Sequence, residues 1–91
     1  MSPVIEHNRD AQRFEARVED LLCELDYSLS DKLMTITHTG VPSEVGGHGV
    51  ASALTQAAMD AARAEGWKVV PACSYARAWM TRHPQYDDLR A

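Results

Sequence analysis

The period of the apolar residues changes near Pro42, and this change most constrains the fold. Residues 14–39 alternate between apolar and polar side chains, which is typical of half-buried strands. Residues 50–65 instead repeat apolar side chains at helical spacing. A chain of 91 residues has room for one compact unit, and its 45% hydrophobic content is enough for a modest core. We therefore predict an α+β fold in a single domain over residues 1–91.

The first half predicts an antiparallel meander of about four strands. The strands are expected at Val4–Asn8, Phe14–Val18, Leu21–Leu29 and Leu33–Thr39. Short segments rich in turn-favouring Asn, Asp and Ser separate most of them. In the fourth strand, strict alternation places Met34, Ile36 and His38 on a common face.

The second half predicts a central helix, a further strand and a C-terminal helix. These elements are expected at Val50–Glu65, Trp67–Cys73 and Tyr75–His83. Gly66 can form a left-handed cap on the first helix, and Ser74 can cap the second, which Pro84 stops. Because a helix connects them within one sheet, the last strand should run parallel to the fourth. The tail beyond Pro84 is largely polar, and no element is predicted there.

Charge and cysteine content exclude several classes of function. The formal net charge is −4 and no Lys/Arg cluster occurs, so nucleic-acid binding is not expected. No apolar stretch approaches the roughly 20 residues of a membrane span, and charge appears already at Glu6, too early for a signal peptide. Cys23 and Cys73 belong to no CxxC motif or Cys/His cluster, so no metal site is predicted. We expect a cytoplasmic protein.

A glycine-rich turn precedes the central helix. Gly46, Gly47 and Gly49 lie between a strand and a helix, where bare backbone N–H groups and the positive end of the helix dipole can hold an anion. The segment is neither a dinucleotide fingerprint nor a P-loop. A flexible turn that only initiates the helix accounts for the glycines equally well.

Four segments, taken in order and spacing, resemble a known family. They are Thr37–Pro42, Val45–Leu54, Val70–Tyr75 and His83–Tyr86. Together they look like the small YjdJ-type N-acetyltransferases of the GNAT superfamily, and the likeness covers nearly the whole chain. It implies a GNAT-like fold and an acyltransferase, with acetyl-CoA (coenzyme A) as co-substrate and no metal.

The resemblance also implies which residues hold coenzyme A. In GNAT proteins a turn of the form Gln/Arg-x-x-Gly-x-Gly/Ala binds the pyrophosphate. The matching positions here are Gly46, Gly47, His48, Gly49, Val50 and Ala51. Val41 and Ser74 are expected to contact the co-substrate as well. Gly46 stands where the family has Gln or Arg, which removes one phosphate contact, and a protonated His48 could supply part of the missing charge.

His38 and Cys73 match the positions expected to face the acetyl group. His38 is a candidate base, and Cys73 is a candidate proton donor to the departing thiolate. Attack of the amine on the thioester is the usual GNAT course, and a route through acetyl-Cys73 is the alternative. Without the resemblance, Cys73 is more simply a small core residue and His38 a hydrogen-bonded structural histidine.

The implied function is transfer of an acetyl group to a primary amine of a small molecule or a protein. The implied state is a monomer or weak dimer. A non-catalytic acyl-CoA-binding or protein-interaction module with the same fold is the alternative, and a purely structural domain is a third possibility.

Overall fold

The computed structural model describes residues 4–91, with only the backbone at 47 and 48. Five strands form one sheet in sequence order. They are β1 Glu6–Asn8, β2 Arg13–Val18, β3 Leu21–Ser30, β4 Leu33–Gly40 and β5 Lys68–Pro71. β1 to β4 pair antiparallel, and β5 pairs parallel to β4. The predicted meander and the parallel fifth strand are thereby confirmed.

Two α-helices and two short 3-10 helices complete the chain. They are α1 Val50–Glu65, α2 Ser74–Arg82, and the 3-10 helices Ser43–His48 and Pro84–Leu89. Gly66 closes α1 in the left-handed conformation predicted for it, with φ of 77°. Within residues 4–91, neither α1 nor any other helix combines the length and apolar character needed to cross a membrane.

The helices cover one face of the sheet, which we call the inner face. Buried residues from β2, β3, β4 and β5 alternate with exposed or half-buried ones, so the opposite, outer face stays open. Leu54, Met59 and Ala62 of α1 and Trp79 of α2 join the strands in one core cluster. The alternation in the sequence thus becomes burial on one side, because successive strand side chains point to opposite faces.

A β-bulge in β4 reverses the alternation before His38. Asp26 pairs with His38, but the next residue of β3, Tyr27, pairs with Ile36, so Thr37 is an extra residue on β4. His38 therefore shares the outer face with Asp26, and the prediction that it shares a face with Ile36 was wrong. Thr39, which pairs with Leu25, returns to the inner face.

The C-terminal part differs from the predictions in two details. Cys73, rather than Ser74, caps α2, because its Sγ accepts the amide of Ala76 at 3.4 Å. The tail is also more structured than its polar composition suggests. Tyr86 and Leu89 are buried there, and the chain end bonds back to the amino half of β5.

Candidate active site

β4 and β5 separate partway along their length. Their parallel pairing ends at Ile36 and Pro71, and the Ala72 and Cys73 amides then both donate to the Ile36 carbonyl, at 3.0 and 3.1 Å. Beyond this point β4 continues to pair with β3, whereas the segment after β5 leads into α2. Among the described residues, the β5 side of residues 37–40 has no strand partner. We call the resulting wedge the β4/β5 gap.

The thiol of Cys73 lies at the closed end of this gap. Its Sγ accepts the Ala76 amide and lies 3.6 Å from Oγ1 of Thr39, and either of these two side chains can be the donor. Cys73 is half-buried and borders the core. His38 and Cys73 are both expected to face the acetyl group, but the side chain beside the thiol is the Thr39 hydroxyl and not the His38 imidazole.

His38 lies on the outer face with two carboxylates. Side-chain ligand atoms of His38, Glu24 and Asp26 lie within 4.8 Å of one another. A Cβ added at Gly40 would approach Nε2 of His38 to 2.8 Å, so the imidazole fits against bare backbone. The structure therefore separates His38 from Cys73 by the thickness of the sheet.

Arg13 neutralises part of the charge in this outer-face group. Its Nε donates to Asp26 at 2.7 Å, and its NH2 group lies 3.2 Å from Glu24. The hydrogen bond to Asp26 and the charges of both carboxylates raise the pKa of the Arg13 guanidinium. Because Arg13 forms ion pairs with both carboxylates, their negative charge is partly neutralised within the protein.

The start of α1 lacks a side-chain cap. Gly49 occupies the N-cap position with φ of 71°, and the first turn contains no acidic residue. Val50 is buried and Ala51 half-buried, whereas Gly46 and Gly49 are exposed. A Cβ at Gly46 would meet no atom within 4 Å. A Cβ at Gly49 would likewise meet no atom within 4 Å, so the helix end is open at its N-cap, and the helix dipole favours an anion there.

The remaining predicted residues flank the same region. Gly47 and His48 belong to the 3-10 helix before α1, and the predicted charge contribution of the His48 side chain lies outside the described residues. Val41 is half-buried just after β4, and Ser74 is exposed in the first turn of α2.

The charge distribution around the two helix starts suits a polyanion. Residues 45–59 and 66–86 contain no Asp or Glu, although the whole chain carries 13 acidic residues. Arg77 lies in the first turn of α2, whereas Lys68 lies at the other end of the sheet and Arg82 at the end of α2. Glu44 is the acidic residue just before these segments, in the 3-10 helix that precedes α1. An anionic ligand at the start of α1 thus avoids much of the repulsion that the net charge of −4 would otherwise imply.

Comparison with known proteins identifies the family. A family model described as GCN5-related N-acetyl-transferase matches residues 13–89. The chain belongs to this family. The match extends from β2 to the C-terminal 3-10 helix, so it includes the β4/β5 gap and the uncapped start of α1. The resemblance found in the sequence is confirmed, as is the assignment to the GNAT acyltransferases.

A solved GCN5-like structure has the same fold. It is the NMR solution structure of a protein from Staphylococcus aureus whose proposed activity is N-acetyl transfer. The two chains are 28% identical, with a TM-score of 0.77, and the match covers 99% of this chain and 89% of the other. Membership of the family supports acetyl transfer as the general reaction.

Proposed function

We propose that this chain transfers the acetyl group of acetyl-CoA to a primary amine of a small molecule or a protein. The observation that carries the proposal is the β4/β5 gap, with the uncapped start of α1 beside it. Where two strands part, an extended thioester arm could pair with the free edge of a strand, and its diphosphate needs donors nearby. The described fold offers both within residues 37–51 and 70–74.

Backbone groups would hold the diphosphate in this proposal. The exposed Gly49 leads into the first amides of α1, at Val50 and Ala51, which would supply donors at the uncapped helix start, and Gly46, Gly47 and His48 precede them in the 3-10 helix. Val41, just after β4, and Ser74, at the start of α2, would border the path of the co-substrate toward the gap. Within residues 37–51 and 70–74, Glu44 is the one acidic residue, so little negative charge would oppose the diphosphate.

Acetyl transfer replaces a thioester C–S bond by an amide C–N bond. The amine loses one proton, and the departing sulfur gains one. Cys73, at the closed end of the gap, would give that proton from Sγ and recover one afterwards, and its contacts with Thr39 and the Ala76 amide support this role. The route through acetyl-Cys73 stays the alternative, because the same position suits a nucleophile.

His38 would act from the other side of the sheet. Its imidazole is exposed on the outer face, beside the end of β4. In this position it can accept the amine proton only from an acceptor that reaches the gap from the outer face. The proposal therefore assigns the two predicted residues to opposite sides of the reacting centre.

The second candidate is a non-catalytic acyl-CoA-binding or protein-interaction module. Gly46 favours this second candidate. It stands where the family has Gln or Arg, it contributes no side-chain contact to a phosphate, and the space where such a side chain would begin is open. A single domain over residues 1–91, a cytoplasmic location and a monomeric or weakly dimeric state stay predictions from the sequence.

Two measurements on the full chain separate these functions. Coenzyme A and acetyl-CoA should raise the melting temperature, since a ligand of the folded state stabilises it, whereas pantetheine, which lacks the phosphates, should raise it much less. Free thiol release with a panel of amines then reports turnover. Binding without release supports the acyl-CoA-binding module. No shift at millimolar coenzyme A contradicts both the transferase and the acyl-CoA-binding module, and leaves the protein-interaction module.

A further inference from the structure

Thr39 lies beside Cys73 because of the β-bulge. If the side chains of β4 alternated strictly between the two faces, Thr39 would lie on the outer face, away from the thiol. The extra residue Thr37 returns Thr39 to the inner face, where its Oγ1 lies 3.6 Å from Sγ of Cys73. On its other side Sγ accepts the amide of Ala76. We propose that Thr39 is the positioning residue for the Cys73 thiol and acts in acetyl transfer through it.

The chemistry of the two neighbours supports this role. The Ala76 amide can only donate, whereas the Thr39 hydroxyl can donate or accept. A protonated thiol donates a hydrogen bond to Oγ1 of Thr39, and a thiolate accepts a hydrogen bond from the hydroxyl in the same geometry. The thiol can therefore lose and regain a proton without rearrangement of its neighbours.

The effect of Thr39 on turnover rests on the proposed function. Its effect on the reactivity of the Cys73 thiol does not, because that effect follows from the contact alone. A threonine that merely fills the inner face would act through its methyl group and volume, which valine reproduces. The hydroxyl is what distinguishes the two roles. Thr39→Val and Thr39→Ser therefore form the informative pair, and Thr39→Ala against Thr39→Ser repeats the comparison should valine prevent folding.

The first test measures alkylation of Cys73 by iodoacetamide at fixed pH, followed by mass spectrometry of the full chain's peptides. Since the thiolate is the reactive form, loss of a donor should slow alkylation about three- to tenfold in Thr39→Val. Thr39→Ser should stay within about twofold of the parent. Equal rates in the parent and Thr39→Val would overturn the proposal.

Two matched controls belong to the same experiment. Thr35→Val changes a threonine of β4 on the outer face and should leave Cys73 alkylation unchanged. Cys23 is fully buried, and burial raises the pKa of its thiol, so its resistance to alkylation reports that each variant stays folded. Faster labelling of Cys23 identifies a variant whose fold has loosened, and the Thr39→Ala and Thr39→Ser pair then decides.

The second test uses turnover. Thr39→Val should lower kcat about tenfold while leaving KM for acetyl-CoA within about twofold. Cys73→Ala and Cys73→Ala/Thr39→Val should have equal rates, because a residue that acts through Cys73 has no effect once the thiol is gone. A further loss in the double variant contradicts the proposal. A parent with no turnover contradicts the proposed function instead, and alkylation then decides on Thr39 alone.

Discussion

The indole Nε1 of Trp79 donates a 2.8 Å hydrogen bond to the hydroxyl of Ser52. This bond joins the middle of α2 to the first turn of α1, the two helices whose starts flank the candidate active site. Trp79 is 1% exposed, and its ring stacks on His83 with centroids 3.7 Å apart. This buried donor and its acceptor therefore add a specific polar link to the core packing that places the two helix starts.

Ser52→Ala should destabilise the protein by about 1–2 kcal/mol. The change leaves the buried indole N–H of Trp79 without its acceptor, and the higher helix propensity of alanine offsets only part of that cost. Urea unfolding monitored by tryptophan fluorescence measures the change. Ser28→Ala on exposed β3 surface serves as the control. An unchanged midpoint in Ser52→Ala would show that water replaces the hydroxyl.

His7 should make stability depend on pH between about pH 7 and 5. Its ring stacks on Phe14 at 4.0 Å, and Nε2 lies 2.6 Å from the Tyr27 hydroxyl. Burial, together with the nearby positive charge of Arg9, lowers the pKa of His7 below its ordinary value of 6.5. The unfolded state then binds more protons in this range, so the stabilisation is present above 6.5 and is lost as the pH falls.

The melting temperature as a function of pH tests this dependence. His7→Gln should be less stable than the parent at neutral pH, because the stacking is lost, but its melting temperature should fall less steeply between about pH 7 and 5. The hydrogen bond from Arg63 lowers the pKa of Asp88, so this carboxyl gains its proton below the pH range in which the parent and His7→Gln are compared. Parallel curves for the parent and the variant would assign the dependence to other groups.

Much of the fold could be predicted from the sequence, because alternation and helical spacing translate directly into burial. The bulge could not. Thr37, His38 and Thr39 are all polar, so no apolar residue marks which of them faces the core, and either register leaves the same pattern. The identity of the residue beside Cys73 depends on that single extra residue.

The start of α2 and the C-terminal tail show a second limit of prediction from the sequence. Ser74 is the more common cap by residue type, but the chain enters α2 one residue earlier, and the Cys73 sulfur reaches the Ala76 amide instead. Tyr86 and Leu89 are apolar residues in an otherwise largely polar tail. Their burial follows from tertiary contacts, among them the 2.8 Å bond from the Tyr86 hydroxyl to Asp60, that local patterns do not contain.

Gly46→Arg should tighten coenzyme A binding about three- to tenfold, because a guanidinium can contact the diphosphate through two hydrogen bonds. The site has room, since a Cβ there meets no atom within 4 Å. Isothermal titration at low and moderate salt measures the gain, which should shrink as salt rises. Gly46→Gln separates added hydrogen bonding from added charge. Unaltered affinity in both variants would place the diphosphate elsewhere.

Gly49→Ala is the stability counterpart at the same turn. Its φ of 71° lies in the left-handed region, so a Cβ should cost about 1 kcal/mol in folding free energy although space is open around it. Gly46→Ala, where no such strain applies, should be neutral or slightly stabilising in chemical unfolding. Equal effects of the two substitutions would mean that the turn relaxes without the left-handed residue.

His38→Ala should lower kcat at least about tenfold while leaving the Kd for coenzyme A unchanged, because the imidazole lies across the sheet from Cys73. If it accepts the amine proton there, the loss should be larger with amines that are protonated at the assay pH. Thr35→Ala, on the same strand and face, is the control. A full rate in His38→Ala would remove this residue from the reaction and leave Cys73 and its hydroxyl neighbour to carry the proton alone.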